Sequence, residues 1–376
     1  MKLTGIRVLD LTSFLPGPYL TLALADHGAE VIKIEAPQGG DPGRHIAPSD
    51  GDTTVFFRNL NRGKKSAVLD LKSAEGRDAL LTLCESADVF VESFRPGVMK
   101  RLGVDYESVR ARNPRIVYCS LSAFGQTGPY ALRPAHDLAA EALSGVLSMT
   151  LGEDDRPAMP GVPVSDLLAG LQGLSGVLMA LLARERTGEG EFIDISMHDA
   201  MLAGCLNILG PAQLSGVQPV AKHQRTTGGG ALYRSYRTGD GRYLSLAGQE
   251  PKFVEALLGY LGRSDLCELC LRGPGPHQQP VMDFLSATFA TKSVAAWDEI
   301  LGTLDICHAV VKTLPEALDD KHAIARGMVN TDQEGRRYIG PPIHFKHQPA
   351  RPDLHVAKLG EHNAELGLPA VPRQAD

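Results

Sequence analysis

The sequence predicts an α/β protein: a Rossmann-like large domain built on a doubly wound parallel sheet, with a second, smaller α+β domain. Three observations carry this. Apolar, β-branched runs alternate with helix-spaced runs through the first 120 or so residues, the pattern of βαβ units. The chain is 376 residues long, more than one hydrophobic core usually holds. Its texture then turns polar and Gly-rich near residues 211–230 before a hairpin-like stretch begins.

GIRVLDL is the first strand, broken by Pro16-Gly17-Pro18. YLTLALADHGA has helical spacing and ends at Gly28, and EVIKIEAP is a second strand stopped by Pro37. Right-handed crossover makes these two strands parallel neighbours. After a Gly/Pro/Asp-rich loop over residues 38–54, SAVLDLKS is a strand and AEGRDALLTLCESA a helix with Leu80, Leu81 and Leu83 on its apolar side. DVFVESF is the next strand, RPGVMKRLGV opens a short helix, and RIVYCSLSAFG is a further strand. Ligands of doubly wound sheets sit at the carboxyl ends of strands, here residues 12–18, 70–73, 92–97 and 122–129. Residues 137–186 read as helical. The second of these helices carries Ala169, Gly170, Gly173, Ser175 and Gly176, small residues that let another backbone approach, so it is expected to be central. EFIDISM is a strand, and ALYRSYRTGDGRYLSLAG is a hairpin turning at Gly239-Asp240-Gly241. The expected division is a large domain over residues 1–224, completed by a C-terminal return over 331–376, and a small domain over 225–330.

Composition excludes several classes. Hydrophobic residues at 43% and charged residues at 22% exclude wholesale disorder. A net charge of −6 gives no global field for nucleic acid or an acidic membrane, so a polyanion would be held by local cations and N–H groups. The start, MKLTGIRVLDLTS, is no signal peptide, being interrupted by Arg7 and Asp10. No unbroken apolar run reaches the length of about 18 residues that a membrane span needs. Six cysteines in so long a chain make no disulfide framework, which points to the cytoplasm. Cys267 and Cys270 form a CxxC within an apolar, helix-like run, with no second pair at metal spacing, so no metal is expected. No GxGxxG or P-loop pattern occurs.

Three places carry candidate chemistry. His136 and Asp137 precede a helix. Asp137 suits a cap or first-turn acid, and the dipole's positive end would keep the His136 imidazole neutral, as a general base requires. A helix-entry His satisfied by backbone is the plainer alternative. Asp166 precedes the small-residue helix, where it is either an N-cap or a carboxylate poised for nucleophilic or acid/base work. Glu250 follows the strand YLSLAG and is a cap or a site residue. Arg62, Lys64, Lys65, Lys72, Arg95, Lys100 and Arg101 cluster in sequence near the expected carboxyl edge, where phosphate contacts would form.

In order, GIRVLDLTSFLPGP, DHGAEVIKIEAP, LNRGKKSAVLDLKS, VFVESFRPGVMKRLGVDYESV, RIVYCSLSAFGQTGP, the Asp166 segment, RERTGEGEFIDISMHDA and YRTGDGRYLSLAGQEPKF resemble the class III coenzyme A-transferase family, which includes α-methylacyl-CoA racemases. The resemblance implies a two-domain chain in an interlocked homodimer around a coenzyme A site, with CoA entering as part of an acyl-CoA substrate and no tightly bound cofactor. It makes Asp166 the catalytic carboxylate: the nucleophile of a transferase, or the acid/base partner of a His in a racemase. Ala135-His136-Asp137 resembles the racemases' Gly-His-Asp, and QEPKF their Glu-containing segment, with Glu250 supporting His136. The reading that follows is a racemase or epimerase of 2-methylacyl-CoA thioesters working by 1,1-proton transfer through an enolate. The alternative is a CoA-transferase forming an aspartyl-CoA thioester on Asp166. The resemblance further implies CoA contacts at Leu69, Asp70, Leu71, Lys72, Ser93, Phe94, Arg95 and Arg101, with Ala135, Asp137, Leu138, Ala139 and Ala140 lining the site. The sequence departs from the racemase pattern at Ala36, at Ala135, in DLAAEAL, which lacks an aromatic, and at His308.

Overall fold

A computed structural model describes residues 1–369. The chain divides into two compact units. The first contains Met1–Ser144, Pro160–Gly204 and residues 321–369; the second contains Gly145–Met159 and Cys205–Asp320.

The first unit is built on six parallel strands: β1 (Arg7–Leu11), β2 (Glu30–Glu35), β3 (Lys65–Val68), β4 (Val89–Glu92), β5 (Val117–Ser122) and β6 (Glu191–Ser196). They lie in the order β3-β2-β1-β4-β5-β6, all parallel, the doubly wound arrangement expected from the alternating pattern. Side chains alternate across the sheet, so each strand feeds two cores. Leu9, Ile32, Leu80, Phe90 and Tyr118 pack on one face, and Val8, Leu20, Val31, Val89 and Val177 on the other. The crossover from β1 is α1 (Pro16–Asp26), started by proline in its first turn, and that from β3 is α2 (Ala74–Cys84), capped by the Ser73 hydroxyl.

Three further helices frame the site: α3 (Asp137–Leu143), α4 (Val164–Thr187) and α5 (Met197–Gly204). The small residues of α4 have the expected cause on one side. A Cβ at Gly170 would fall 2.7 Å from the Pro16 carbonyl oxygen, and one at Gly173 2.6 Å from Leu20 Cδ1. The opposite side is open, with Leu171, Met179 and Leu182 at 45%, 65% and 66% exposure. An 18-residue stretch of α4 has a mean hydropathy of 1.6, so the helix is long and apolar enough to cross a membrane by length and composition alone. Interspersed Gly, Ser and Gln interrupt the apolar run, but its many Leu, Val and Ala residues keep the average high.

Buried ion pairs hold the turn after β1. Lys64 Nζ donates to Asp10 Oδ2 at 3.0 Å, to Thr21 Oγ1 at 2.8 Å and to Asn61 Oδ1 at 3.0 Å. Lys33 Nζ donates to the Thr12 carbonyl at 2.8 Å and pairs with Asp41 at 2.8 Å. Burial alone would raise Asp10, but Lys64, Lys33 and the Thr12 and Thr21 hydroxyls outweigh it and hold its carboxyl well below the ordinary range. Arg62 pairs with Asp26 at 2.7 Å, and Lys65 with Glu30 and Glu365, both at 2.6 Å. Three of the cations read as phosphate contacts, Arg62, Lys64 and Lys65, are therefore structural partners of acids. The C-terminal return covers the open edge of β3: Val68 N–H donates to Asn363 Oδ1 at 2.8 Å, and Asn363 Nδ2 donates to the Val68 carbonyl at 3.0 Å.

The second unit has an antiparallel sheet of β7 (Tyr233–Arg237), β8 (Tyr243–Ala247) and β9 (His308–Val310), in the order β9-β8-β7. The β7–β8 pair is the hairpin read from the sequence. Behind it pack Leu257, Phe289 and Trp297. The divides at 204 and 320 precede those read from composition at 224 and 330, and residues 145–159 join this unit. Gln218 Nε2 ties that excursion down by donating to Ser148 Oγ at 3.0 Å, a contact across 70 residues that no local pattern announces.

Candidate active site

In an open α/β sheet the crevice opens where strand order reverses, here between β1 and β4. A cavity of about 550 Å³ lies there. Ser13 and Phe14 line it from the end of β1, Ser93, Phe94, Arg95 and Pro96 from β4, and Ser122 and Ala123 from β5. Arg133, Pro134, Ala135 and His136 approach from the segment before α3, and Asp166 from α4.

The fold thus brings His136, Asp166, Ser93, Phe94, Arg95 and Ala135 to one cavity. Other expected contacts lie outside its lining. Leu69 and Ala140 are buried in the cores, and Leu71 packs against the first of them. Asp70 accepts from the Lys72 backbone N–H at 3.0 Å. Lys72, Arg101, Leu138 and Ala139 are exposed. Asp137 turns toward α4. Glu250 belongs to the second unit, at the N-cap of α6 (Pro251–Tyr260), and makes no capping hydrogen bond there. His308 pairs with Asp298 at 3.4 Å.

Asp166 is not the N-cap of α4. Pro163 occupies that position without a side-chain hydrogen bond, and Asp166 is the third helical residue. The first-turn N–H donors are satisfied from α3 instead. Asp137 Oδ1 accepts from Ser165 N–H at 2.8 Å, Ser165 Oγ at 2.7 Å and Asp166 N–H at 3.2 Å, and Glu141 Oε1 accepts from Val164 N–H at 3.3 Å. Asp166 therefore sits between a helix N-terminus, which favours its charge, and two acids, which oppose it. Burial is the largest influence, followed by the charges of Asp137 and Glu141, and together they push its carboxyl up to about 7.

His136 is the N-cap of α3, and among the described residues its imidazole makes no hydrogen bond. The Phe14 ring meets it edge-on at 5.7 Å. Phe14 has φ of 62°, a left-handed backbone unusual for a residue with a bulky side chain. Its N–H points to Asp41 Oδ1 at 3.5 Å, so the Lys33–Asp41 pair reaches the cavity through this turn. The turn after β4 is set by buried Glu92, whose Oε2 accepts from the Phe94 N–H at 2.8 Å. Arg133 stands over the Tyr130 ring at 5.5 Å and gives the cavity a second guanidinium beside Arg95.

Sequence reasoning missed Phe14, Arg133 and Glu141. The first two lie in segments it flagged, the residue 12–18 turn and the loop before His136, but nothing local says which side chain faces the cavity. Glu141 had a signal, an acid four residues after Asp137 and so on the same helical face. Among the described residues no group of three or more His, Cys, Asp and Glu could hold a metal.

The chain belongs to CoA-transferase family III, whose model matches residues 3–363. It is 33% identical over 377 residues to succinyl-CoA:glutarate CoA-transferase of Mus musculus, covering 97% of this chain and 85% of that one. It is 34% identical over 376 residues to alpha-methylacyl-CoA racemase of Homo sapiens, covering 97% and 92%. The crystal structure of a CAIB/BAIF family protein from Brucella suis superimposes with a TM-score of 0.85 at 30% identity, over 97% of this chain and 98% of that one. The chain is accordingly an enzyme of the CoA-transferase and acyl-CoA racemase kind.

Proposed function

We propose that this enzyme racemises or epimerises 2-methylacyl-CoA thioesters by proton transfer at C2. The observation that carries the reading is the pairing of His136 and Asp166 on the walls of one cavity, with the Asp166 carboxyl near 7. A general acid or base works best when it titrates near the working pH. Racemisation through a planar enolate needs one such group on each face. In one direction His136 takes the C2 proton and Asp166 returns one to the opposite face; in the other direction the roles exchange. Backbone N–H groups at the start of α3 are the candidate donors to the thioester oxygen as it gains charge. Arg95 and Arg133 suit the anionic carrier at the rim, and CoA is read as part of the substrate. Glu250 is read as a support of His136, on the resemblance of QEPKF alone.

The second reading is a CoA-transferase in which Asp166 attacks the acyl-CoA to form a mixed anhydride, and the released CoA thiolate then attacks the aspartyl carbonyl, freeing the donor acid and leaving an aspartyl-CoA thioester. The equally long similarity to a named transferase favours it. Incubation of a panel of 2-methylacyl-CoAs in heavy water, without an acceptor acid, separates the two. Deuterium entering C2 supports racemisation. Its absence, with trapping of Asp166 by hydroxylamine only when acyl-CoA is present, overturns it.

We further propose a homodimer, in which a second copy covers the exposed Leu171, Met179 and Leu182 face of α4, and a cytoplasmic setting, which six cysteines in so long a chain, too few for a disulfide framework, favour.

A further inference from the structure

We propose that Glu141 is a positioning residue for Asp166: it keeps its proton and donates it to Asp137, so that the two acids cap α4 while carrying one negative charge. The proposal rests on the reading of Asp166 as an acid/base group.

Glu141 stands four residues after Asp137 on α3 and has 0% exposure. Its Oε1 accepts from Val164 N–H at 3.3 Å. Its Oε2 is buried and has no hydrogen-bond partner among the described residues. A buried carboxylate oxygen without a donor is costly. A proton on that oxygen removes the cost, because the neighbouring Asp137 is an acceptor. Asp137 is the better anion of the two, since its Oδ1 already takes three donors from Ser165 and Asp166, whereas Glu141 takes one long bond. The proton therefore resides on Glu141.

The surroundings supply no cation to reverse this. Asp137 faces Glu141 from its own helix and Asp166 from α4. α5, which packs on both, bears His198 and Asp199, and these pair with each other at 3.2 Å. Among the described residues no Lys or Arg forms an ion pair with Asp137, Glu141 or Asp166. Burial first, then the Asp137 charge, act to keep Glu141 protonated. Asp166 consequently faces one full charge rather than two. With Glu141 ionised, its charge would add to that of Asp137 in opposing ionisation of Asp166.

A glutamine reproduces a protonated glutamate at this position: its Nε2 donates to Asp137 and its Oε1 accepts from Val164. Glu141→Ala should lower kcat/KM by roughly tenfold or more, mainly in kcat, and Glu141→Gln should restore it to within about threefold. The acidic limb of the kcat/KM profile in Glu141→Gln should stay within about 0.3 pH unit of the native enzyme. If Glu141 is ionised, Glu141→Gln removes a charge and moves that limb down by about one unit, which overturns the proposal. Infrared spectra at pH 7 give a readout independent of activity. A protonated carboxyl C=O band should be present in the native protein, persist in Asp166→Asn and vanish in Glu141→Gln. The absence of a Glu141-dependent band overturns the proposal whichever reaction the enzyme performs. The band with no C2 exchange overturns the acid/base reading of Asp166 instead.

Discussion

Asp166→Asn should inactivate the enzyme and, at alkaline pH, stabilise it. Burial, followed by the neighbouring acids Asp137 and Glu141, raises the native carboxyl from 3.8 to about 7. Between those values the folded state holds a proton that the unfolded state has released. Stability therefore declines as pH rises from about 4 to about 7 and is level above that. The interval is roughly three pH units, which at 1.36 kcal/mol per unit sets an upper limit of about 4 kcal/mol. The carboxyl is partly exposed, and solvent screening reduces the figure to about 1–2 kcal/mol at pH 8. Asparagine has nearly the same shape and no charge to desolvate. Urea unfolding at pH 8 should show the variant more stable by that margin, and at pH 4, where the native group is protonated in the fold, the margin should shrink below about 0.5 kcal/mol. Turnover should fall by roughly a thousandfold or more. A variant no more stable than the native chain at pH 8, or equally favoured at both pH values, would refute the picture of a charge held against its environment.

Asp137→Asn keeps an acceptor for the first turn of α4 but removes the charge nearest Asp166. Because burial ranks above that charge, the acidic limb of kcat/KM should move down by about one unit rather than the full three; an upward move would contradict the assignment. Phe14→Ala removes the edge contact to His136 and should lower kcat roughly tenfold with little change in Tm, which steady-state kinetics beside calorimetry can check. Lys64→Met leaves Asp10 buried without its closest cation and should cost about 3–5 kcal/mol in denaturant unfolding; a loss under about 1 kcal/mol would mean that Lys33 and the hydroxyls suffice.

The parallel sheet was legible because all its strands but the edge strand β6 are buried on both faces and read as apolar runs between turn residues. The position of the cavity followed from topology: once β1 and β4 are neighbours across the reversal, residues 12–18 and 92–97 must meet. Asp166 and His136 were legible as helix-start residues of reactive type. The capping of α4 by α3 was not, since the contact from Asp137 to Ser165 spans 28 residues and depends on an excursion into the other unit. The same limit misassigned Lys64, whose charge looks solvated in RGKKSAV until its acceptors, Asp10 and Thr21, arrive from 54 and 43 residues away.

Asn363 ties the order of synthesis to the order of folding. The strand it seals lies 295 residues upstream. At elongation rates of roughly 5–20 residues per second, β3 waits about 15–60 s for its cover while the whole second unit is made. During that interval the nascent chain displays the free edge of its main sheet. Until Glu365 and Asn363 arrive, the basic Lys65 within that strand is the charge that opposes edge-to-edge pairing with a neighbouring chain.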